Sequence, residues 1–387
     1  MIDIPKDEKV QVGKAIDYLR KKEFKKNPSF KIEYFIETIC SKATYVKLRK
    51  IPLKESEIYD SLLAKLNLIY PYDPREQTKL FHTEKLMEDA FIHRDPDEKK
   101  LLDSLINYYS TSHSVYDRLK YIAFKDSAMS VPELLAIYEI VQSPIREVIM
   151  NRIIDVLESM PPSAMSDYIK SRLHFHTIRN QIDYLFLIIR NKHYYQAVAL
   201  CESLLRSATL PIDRAKIRIA KLILLHQIDP RHFDLEAQAL SNDPSFPLVR
   251  EDWIHICAFH AYNQNDYDRA RLLFEEEIKN QKTFFPAILF LAHMHDPKIE
   301  FSQEVFCRYN IQDYPVEYQH LYTYFKMKFS HSSFSILESY LWNICRKEIK
   351  EFYPENIIIR LIHDELEWIS ENTGNRTKLY MFHQQFD

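Results

Sequence analysis

This sequence predicts an all-helical protein, on three observations. Only two of its 387 residues are glycine, Gly13 and Gly374. β-Hairpin turns and phosphate-cradling loops lean on glycine because it reaches positive φ without strain. An isolated Gly13 therefore excludes dinucleotide-binding and P-loop fingerprints. Apolar residues recur at helical spacing, as in Ile32, Phe35, Ile36 and Ile39, which fall at i, i+3, i+4 and i+7 on one helix face. Aromatics at Phe233, Tyr267, Phe301 and Phe334 stand 34, 34 and 33 residues apart, a period that belongs to stacked helix pairs.

The elements follow in order. Residues 8–26 predict a first helix on Val10, Ile16 and Leu19, broken by Asn27-Pro28-Ser29. Residues 31–39 predict a second, with Cys40 at the corner and Ser41 as N-cap of a third over 41–50. Ile51-Pro52 ends that helix, and residues 55–69 carry Ile58, Leu62, Leu63, Leu66 and Ile69 on a fourth. Pro71-Tyr72-Asp73-Pro74 reads as a domain boundary, so the expected domains are 1–72 and 76–387. Beyond it, Asp95-Pro96-Asp97-Glu98 predicts a cap, an N1 proline and an acid in sequence, and Ser130-Val131-Pro132-Glu133 a capping box. Ser143-Pro144 opens another helix and Met160-Pro161-Pro162-Ser163 ends it.

The repeat is clearest over residues 252–279, with Trp253, Ala258 and Tyr262, then Tyr267, Ala270, Phe274 and Ile278. Tyr194, Ala197 and Cys201 match its second half. An aromatic opening the second helix, an alanine three later and an apolar residue four after that is the tetratricopeptide pattern. Such pairs stack into a superhelix with a concave groove. Glu236, Glu304 and Glu338 depart from it, replacing or crowding the small residue where helices meet. The expected fold is therefore all-α, an N-terminal helix-turn-helix bundle followed by a tetratricopeptide-like helical solenoid.

Charge is distributed unevenly. Residues 1–54 hold fourteen Lys and Arg against seven acids, a net +7; the whole chain is −3, which leaves −10 on residues 55–387. A basic head on an acidic body is the footprint of phosphate contact by one module. Helices two and three have the shape of a helix-turn-helix, whose second helix enters the major groove by its N-terminal residues. Tyr45 and Leu48 can point inward, leaving Lys42, Thr44, Lys47 and Arg49 outside. The candidate DNA-binding residues are Lys31, Ser41, Lys42, Thr44, Tyr45, Lys47 and Arg49.

Other chemistry is not expected. Cys40, Cys201, Cys257, Cys307 and Cys345 are far apart with no Cys-x-x-Cys pair, the pattern of small buried hydrophobes in a reducing cytoplasm. No basic stub precedes an apolar run, and no 18 residues are continuously apolar, so neither signal peptide nor membrane span is expected. His174-Phe175-His176 and His293-Met294-His295-Asp296 place their histidines on diverging faces of a helix, so no metal is expected. With no nucleophile elbow or other catalytic motif, neither an enzyme nor a cofactor is expected.

The run Glu37-Thr38-Ile39-Cys40-Ser41-Lys42-Ala43-Thr44-Tyr45-Val46-Lys47-Leu48, with residues 57–67 behind it, resembles the peptide-responsive regulators of Gram-positive bacteria and their phages, the Rgg/PlcR type. That family includes phage lysis–lysogeny regulators of similar length. The likeness covers about 60 residues by motif and the remainder by architecture. Ile36, Arg49 and Ile51-Pro52 depart from the family's alanine, glutamate and glycine. The resemblance implies a cytoplasmic homodimer that binds a double-stranded DNA operator under the control of a short signalling peptide, as in quorum sensing.

Groove residues follow by counting back from each aromatic that opens a second helix. The strip comprises Arg179, Phe186, Arg190, Arg218, Lys221, His255, Phe259, Tyr262, Asn263, His293, Tyr322 and Lys326. It predicts a basic, aromatic inner face around one amide, suited to a short extended peptide. The apolar run Ile357-Ile358-Ile359-Arg360-Leu361-Ile362, with Trp368, is the expected dimer surface. The alternatives are a tetratricopeptide-type interaction scaffold with a degenerate head, or a regulator such as a phosphatase acting on a signalling protein.

Overall fold

Local signals of this kind give helix after helix in the computed structural model, which describes residues 4–71, 74–158, 160, 171–279, 286–294, 316–347 and 356–386. Among them there is no strand, only a single parallel bridge between Ile69 and Ser114. The chain divides into two compact units, Met1–Asp213 and Arg214–Asp387; the expected head, residues 1–72, lies within the first.

The first unit begins with α1 (Lys9–Phe24), α2 (Ile32–Phe35), α3 (Lys42–Leu48) and α4 (Ser56–Lys65). It continues through α5 (Pro74–His93), α6 (Glu98–Thr111), α7 (Val115–Lys125), α8 (Val131–Ile140), α9 (Arg146–Glu158), α10 (Ile178–Arg190) and α11 (Tyr194–Ser207). Helix α1 packs against α3 and α4 and also against α7 and α8. Lys22 meets Asp126 at 2.6 Å and Lys25 meets Glu133 at 3.2 Å, while Glu8 accepts hydrogen bonds from the Tyr70 and Tyr116 hydroxyls. At the centre, buried Glu84 accepts from the Tyr109 hydroxyl and from Lys120 Nζ, both at 2.6 Å. A carboxylate this deep persists only when its charge is matched and its lone pairs are filled.

The second unit contains α12 (Pro211–Ile228, less its first three residues), α13 (Phe233–Ser241), α14 (Arg250–Asn263), α15 (Tyr267–Lys279) and α16 (Pro286–Met294). After these come α17 (Val316–Phe329), α18 (Phe334–Tyr340), α19 (Asn356–Thr373) and α20 (Thr377–Phe386). Its core centres on Phe259, Tyr262, Phe274, Phe290 and Tyr324. Fully buried Glu365 accepts from His293 Nδ1 at 2.6 Å, the Tyr324 hydroxyl at 2.5 Å and Lys328 Nζ at 2.8 Å. Burial alone would raise the Glu365 carboxyl; His293 and Lys328 outweigh it and hold the group below its ordinary range.

With so few glycines, the chain closes its helices on other residues. Asn67, Arg94, Lys192, Asn265 and His331 all have positive φ, between 54° and 62°. After each, the next amide donates to the carbonyl five residues back: Leu68 to Leu63, Asp95 to Ala90, His193 to Ile188, Asp266 to Ala261 and Ser332 to Met327. This is the Schellman closure, normally given to glycine. Three of these corners are followed directly by α11, α15 and α18, which begin at the aromatics Tyr194, Tyr267 and Phe334. Helix α13 likewise begins at Phe233; Phe301 lies outside the described residues.

Several expectations need correction. Helix α2 is one turn long rather than spanning 31–39, because Thr38 takes φ +68° and turns the chain there, two residues before Cys40. Pro96 is not the first residue of α6: the Asp95 carboxylate accepts the Asp97 amide, and the helix starts at Glu98. Likewise Ser143-Pro144 precedes α9, which starts at Arg146. Of the expected dimer surface, Ile358, Leu361 and Ile362 are instead buried in the core of the second unit, with Ile359 and Trp368 partly buried against it; the Ile357 side chain lies outside what is described. The Ser130–Glu133 box is present, the carboxylate accepting from the Ser130 amide at 3.1 Å and hydroxyl at 2.8 Å. Cys201, Cys257 and Cys345 are buried free thiols and Cys40 is partly exposed. No helix among the described residues is long and apolar enough to cross a membrane.

Candidate nucleic-acid interface

Helix α3 is started by its own sequence. Ser41 is extended, and its Oγ accepts the Thr44 amide at 3.1 Å and meets Thr44 Oγ1 at 2.9 Å, satisfying donors that a helix start leaves open. The inner face is Tyr45 and Leu48, both wholly buried, with the Phe35 ring edge-on to Tyr45 at 6.1 Å. From α4, Lys65 Nζ donates to the Tyr34 and Glu37 carbonyls at 3.2 and 3.1 Å, closing the carbonyl end of α2.

What fixes α3 to α1 is Asp17, buried on α1. Its carboxylate accepts from the Tyr45 hydroxyl at 3.1 Å and pairs with Arg49 at 2.9 Å, Lys21 at 2.9 Å and Arg20 at 3.3 Å. Arg20 also donates to the Tyr45 oxygen at 3.1 Å and to the Phe30 carbonyl at 2.9 Å. Burial would raise the Asp17 carboxyl; Lys21, Arg49 and Arg20 reverse that and hold it low. Burial, then the Asp17 charge, pushes the Tyr45 hydroxyl up. Gly13 completes the contact, since a Cβ there would lie 2.2 Å from the Leu48 carbonyl oxygen.

The candidate DNA residues therefore divide. Lys42 and Lys47 are exposed on α3, with Thr44 half-buried between them. Lys31 and Lys42 flank the exposed Glu33 carboxylate, at 3.9 and 3.3 Å. Ser41 is the cap. Arg49 turns back to Asp17 and keeps under a third of its side chain exposed. Tyr45 is corrected outright: with no exposed surface, it joins α3 to α1 and offers nothing to a ligand. Sequence reading missed Asp17, Arg20, Gly13 and Lys65. The Asp17-x-x-Arg20 spacing on one helix face was the only signal, and it says nothing of a partner in α3.

The expected peptide strip also divides, and most of it is committed internally. In the first unit, Arg179 donates to the Phe91 carbonyl and to Glu98, both at 2.6 Å, with its guanidinium 4.0 Å from the centre of the Phe91 ring; Phe186 is half-buried and Arg190 exposed. In the second unit, Arg218 reaches Glu236 at 2.9 Å and Asp243 at 3.1 Å, and Lys221 reaches Glu236 at 2.6 Å. Burial would raise Glu236, but these two cations hold it low. His255 meets Glu277 at 3.0 Å and His293 meets Glu365. Phe259, Tyr262 and Tyr322 are core residues, and Lys326 is exposed. The expected basic inner face is thus corrected for Arg179, Arg218 and Lys221, whose charges are matched by the carboxylates of Glu98, Glu236 and Asp243.

The central amide has a different partner from the one expected. Asn263 Nδ2 donates to His226 Nε2 at 2.8 Å, so the His226 proton sits on Nδ1, which meets His260 Nδ1 at 3.0 Å. His260 in turn stacks on Phe233 at 3.7 Å. Burial first, then the neighbouring His260, depress His226 to about 4. Compared with known proteins, the chain matches no family model, no curated protein and no solved structure.

Proposed function

We propose that this chain is a DNA-binding regulator that acts through α3, with its helical-pair body as the part that senses a short peptide. The observation that carries the reading is the construction of α3. One face is locked to α1 by a buried carboxylate and a glycine contact, while the N-capped opposite face carries Lys42, Thr44 and Lys47 in the most basic segment of the chain. A rigid, basic, exposed helix of two turns is what insertion into a major groove requires, and specific binding by such a module calls for a two-fold dimer. The likeness of residues 37–48 to the Rgg/PlcR-type head points the same way. For the peptide, the exposed members of the expected strip are Arg190 in the first unit and Lys326 in the second; Arg179 and Phe186 in the first, and Arg218, Lys221, His255, Asn263 and His293 in the second, are partly exposed.

The scaffold reading draws on the inward Tyr45 and Arg49 and on the Glu33 charge beside Lys31 and Lys42. Retention on duplex DNA as salt is raised separates the two. A regulator binds tightly at low salt, and Lys42→Ala/Lys47→Ala reduces the salt slope by about two, one per phosphate contact. Retention unaffected by that pair of changes, or no retention at low salt, sinks the assignment of α3.

A further inference from the structure

We infer that α19 and α20 carry a binding site for a single transition-metal ion of the Zn2+ class, with His363 and His383 as its nitrogen ligands and Glu367 as its oxygen ligand. The Nε2 atoms of His363 and His383 face each other at 3.3 Å. Zinc in tetrahedral coordination, with Zn–N bonds of about 2.0–2.1 Å, places two nitrogens about 3.3–3.4 Å apart, so the pair already has the spacing of a tetrahedral edge.

The His363 ring is held for that role. Its Nδ1 meets Asp364 Oδ1 at 3.0 Å, which places the proton on Nδ1 and the lone pair on Nε2, toward His383. Asp364 is itself fixed, since its Oδ2 accepts from the Tyr262 hydroxyl at 3.1 Å and lies 3.7 Å from Arg360 Nε. A carboxylate that orients a ligating imidazole from behind is the usual outer shell of a histidine metal site. Asp364 therefore orients, and Glu367 binds.

Glu367 stands four residues after His363 on α19, hence on the same face one turn along. One ligand atom each of His363, Asp364 and Glu367 lies within 4.8 Å of the other two, a group that does not include His383, so the exposed Glu367 side chain has to turn toward the imidazole pair to complete the site. Both His383 and Glu367 are exposed, so an ion can enter without opening the core. Two imidazoles and a carboxylate suit Zn2+, and also Ni2+ and Cu2+, while disfavouring Mg2+ and Ca2+, which take oxygen ligands. Three protein ligands leave one tetrahedral position for water or another donor. Occupied, the site ties the terminal helix α20, anchored by buried Phe382, to α19.

The test uses the full chain, free of any polyhistidine tag and stripped of metal, titrated with Zn2+ by calorimetry and with Co2+ by visible absorption. One ion per chain is expected, with the intense ligand-field bands of tetrahedral cobalt. His363→Ala and His383→Ala should each abolish both signals, and Glu367→Gln should weaken binding at least tenfold. Because His383 is exposed, its variant keeps the fold, which circular dichroism checks. Undiminished binding in either histidine variant, a pale octahedral cobalt spectrum, or no stoichiometric binding at micromolar protein overturns the assignment.

Discussion

Replacing Gly13 by alanine sets two opposing effects against each other. Gly13 sits inside α1, where alanine is the better helix former by about 0.8–1 kcal/mol, so propensity alone predicts a more stable protein. Packing predicts the reverse. A Cβ at this position would stand 2.2 Å from the Leu48 carbonyl oxygen, 2.6 Å from Leu48 Cδ2 and 2.8 Å from the Leu48 carbonyl carbon. A side-chain methyl can swing aside, but a backbone oxygen moves only with its helix, so α3 must retreat by roughly an ångström from a close-packed contact. Overpacking of this kind costs about 1–3 kcal/mol. The retreat also stretches the bonds of Tyr45 and Arg49 to Asp17, and hydrogen bonds to charged groups are worth about 1.5–3 kcal/mol each. With one such bond weakened, the net is a loss of about 2 kcal/mol or more. Urea unfolding followed by circular dichroism reads it, with exposed Lys14→Ala as the neighbouring control. DNA retention should fall with it, because α3 moves. Gly13→Ala as stable as the parent chain, or more stable, would refute the close approach of α1 and α3.

Three further outcomes follow from the same contacts. Tyr45→Phe removes a hydroxyl shared by Asp17 and Arg20, so it should cost about 1–2 kcal/mol in unfolding while leaving the salt slope of DNA binding unchanged; a reduced slope would return Tyr45 to the contact surface. His226 is held neutral at about 4, below its unfolded value of about 6.5. The unfolded chain then takes up the extra proton, so the His226 contribution is whole above pH 6.5 and is lost as pH falls toward 4, by up to about 3 kcal/mol. Chemical denaturation at pH 7, 6 and 5 should show a shallower decline in His226→Gln, and equal declines would show that His226 is not the source. Exposed Lys192, at φ +60°, should gain roughly 0.5 kcal/mol on mutation to glycine, as relief of left-handed strain exceeds the added entropy of the unfolded chain; a lower melting temperature in Lys192→Gly contradicts the Schellman corner.

What this sequence determined by itself is what neighbours along the chain decide. The scarcity of glycine and the 3.6-residue apolar spacing were enough for an all-helical fold, since helix formation is satisfied within a segment. Ser41 and the Ser130–Glu133 box cap their helices because the cap and the amide it serves are three residues apart. Phe233, Tyr267 and Phe334 open helices as their spacing indicated, and Tyr194 does so as its match to the repeat motif indicated. Even the corner missed between α2 and α3 was a local matter, but Thr38 is a poor marker of positive φ beside the expected Cys40.

Tertiary structure decided the partners. Net charge marked residues 1–54 as basic, yet a sum of charges carries no positions, so it could not show Arg49 turned to Asp17, 32 residues away. Nor could it pair Arg218 with Glu236 and Asp243, which empties the expected basic strip of two of its charges together with Lys221. Tyr45 was read both as inward and as a contact, and only the Asp17–Arg20 bonds chose between them. The histidines of α19 and α20 are 20 residues apart and face each other across the turn in which Gly374 takes φ +72°. Helix content is a short-range property and was legible; pairing is a long-range one, fixed by which faces the core brings together.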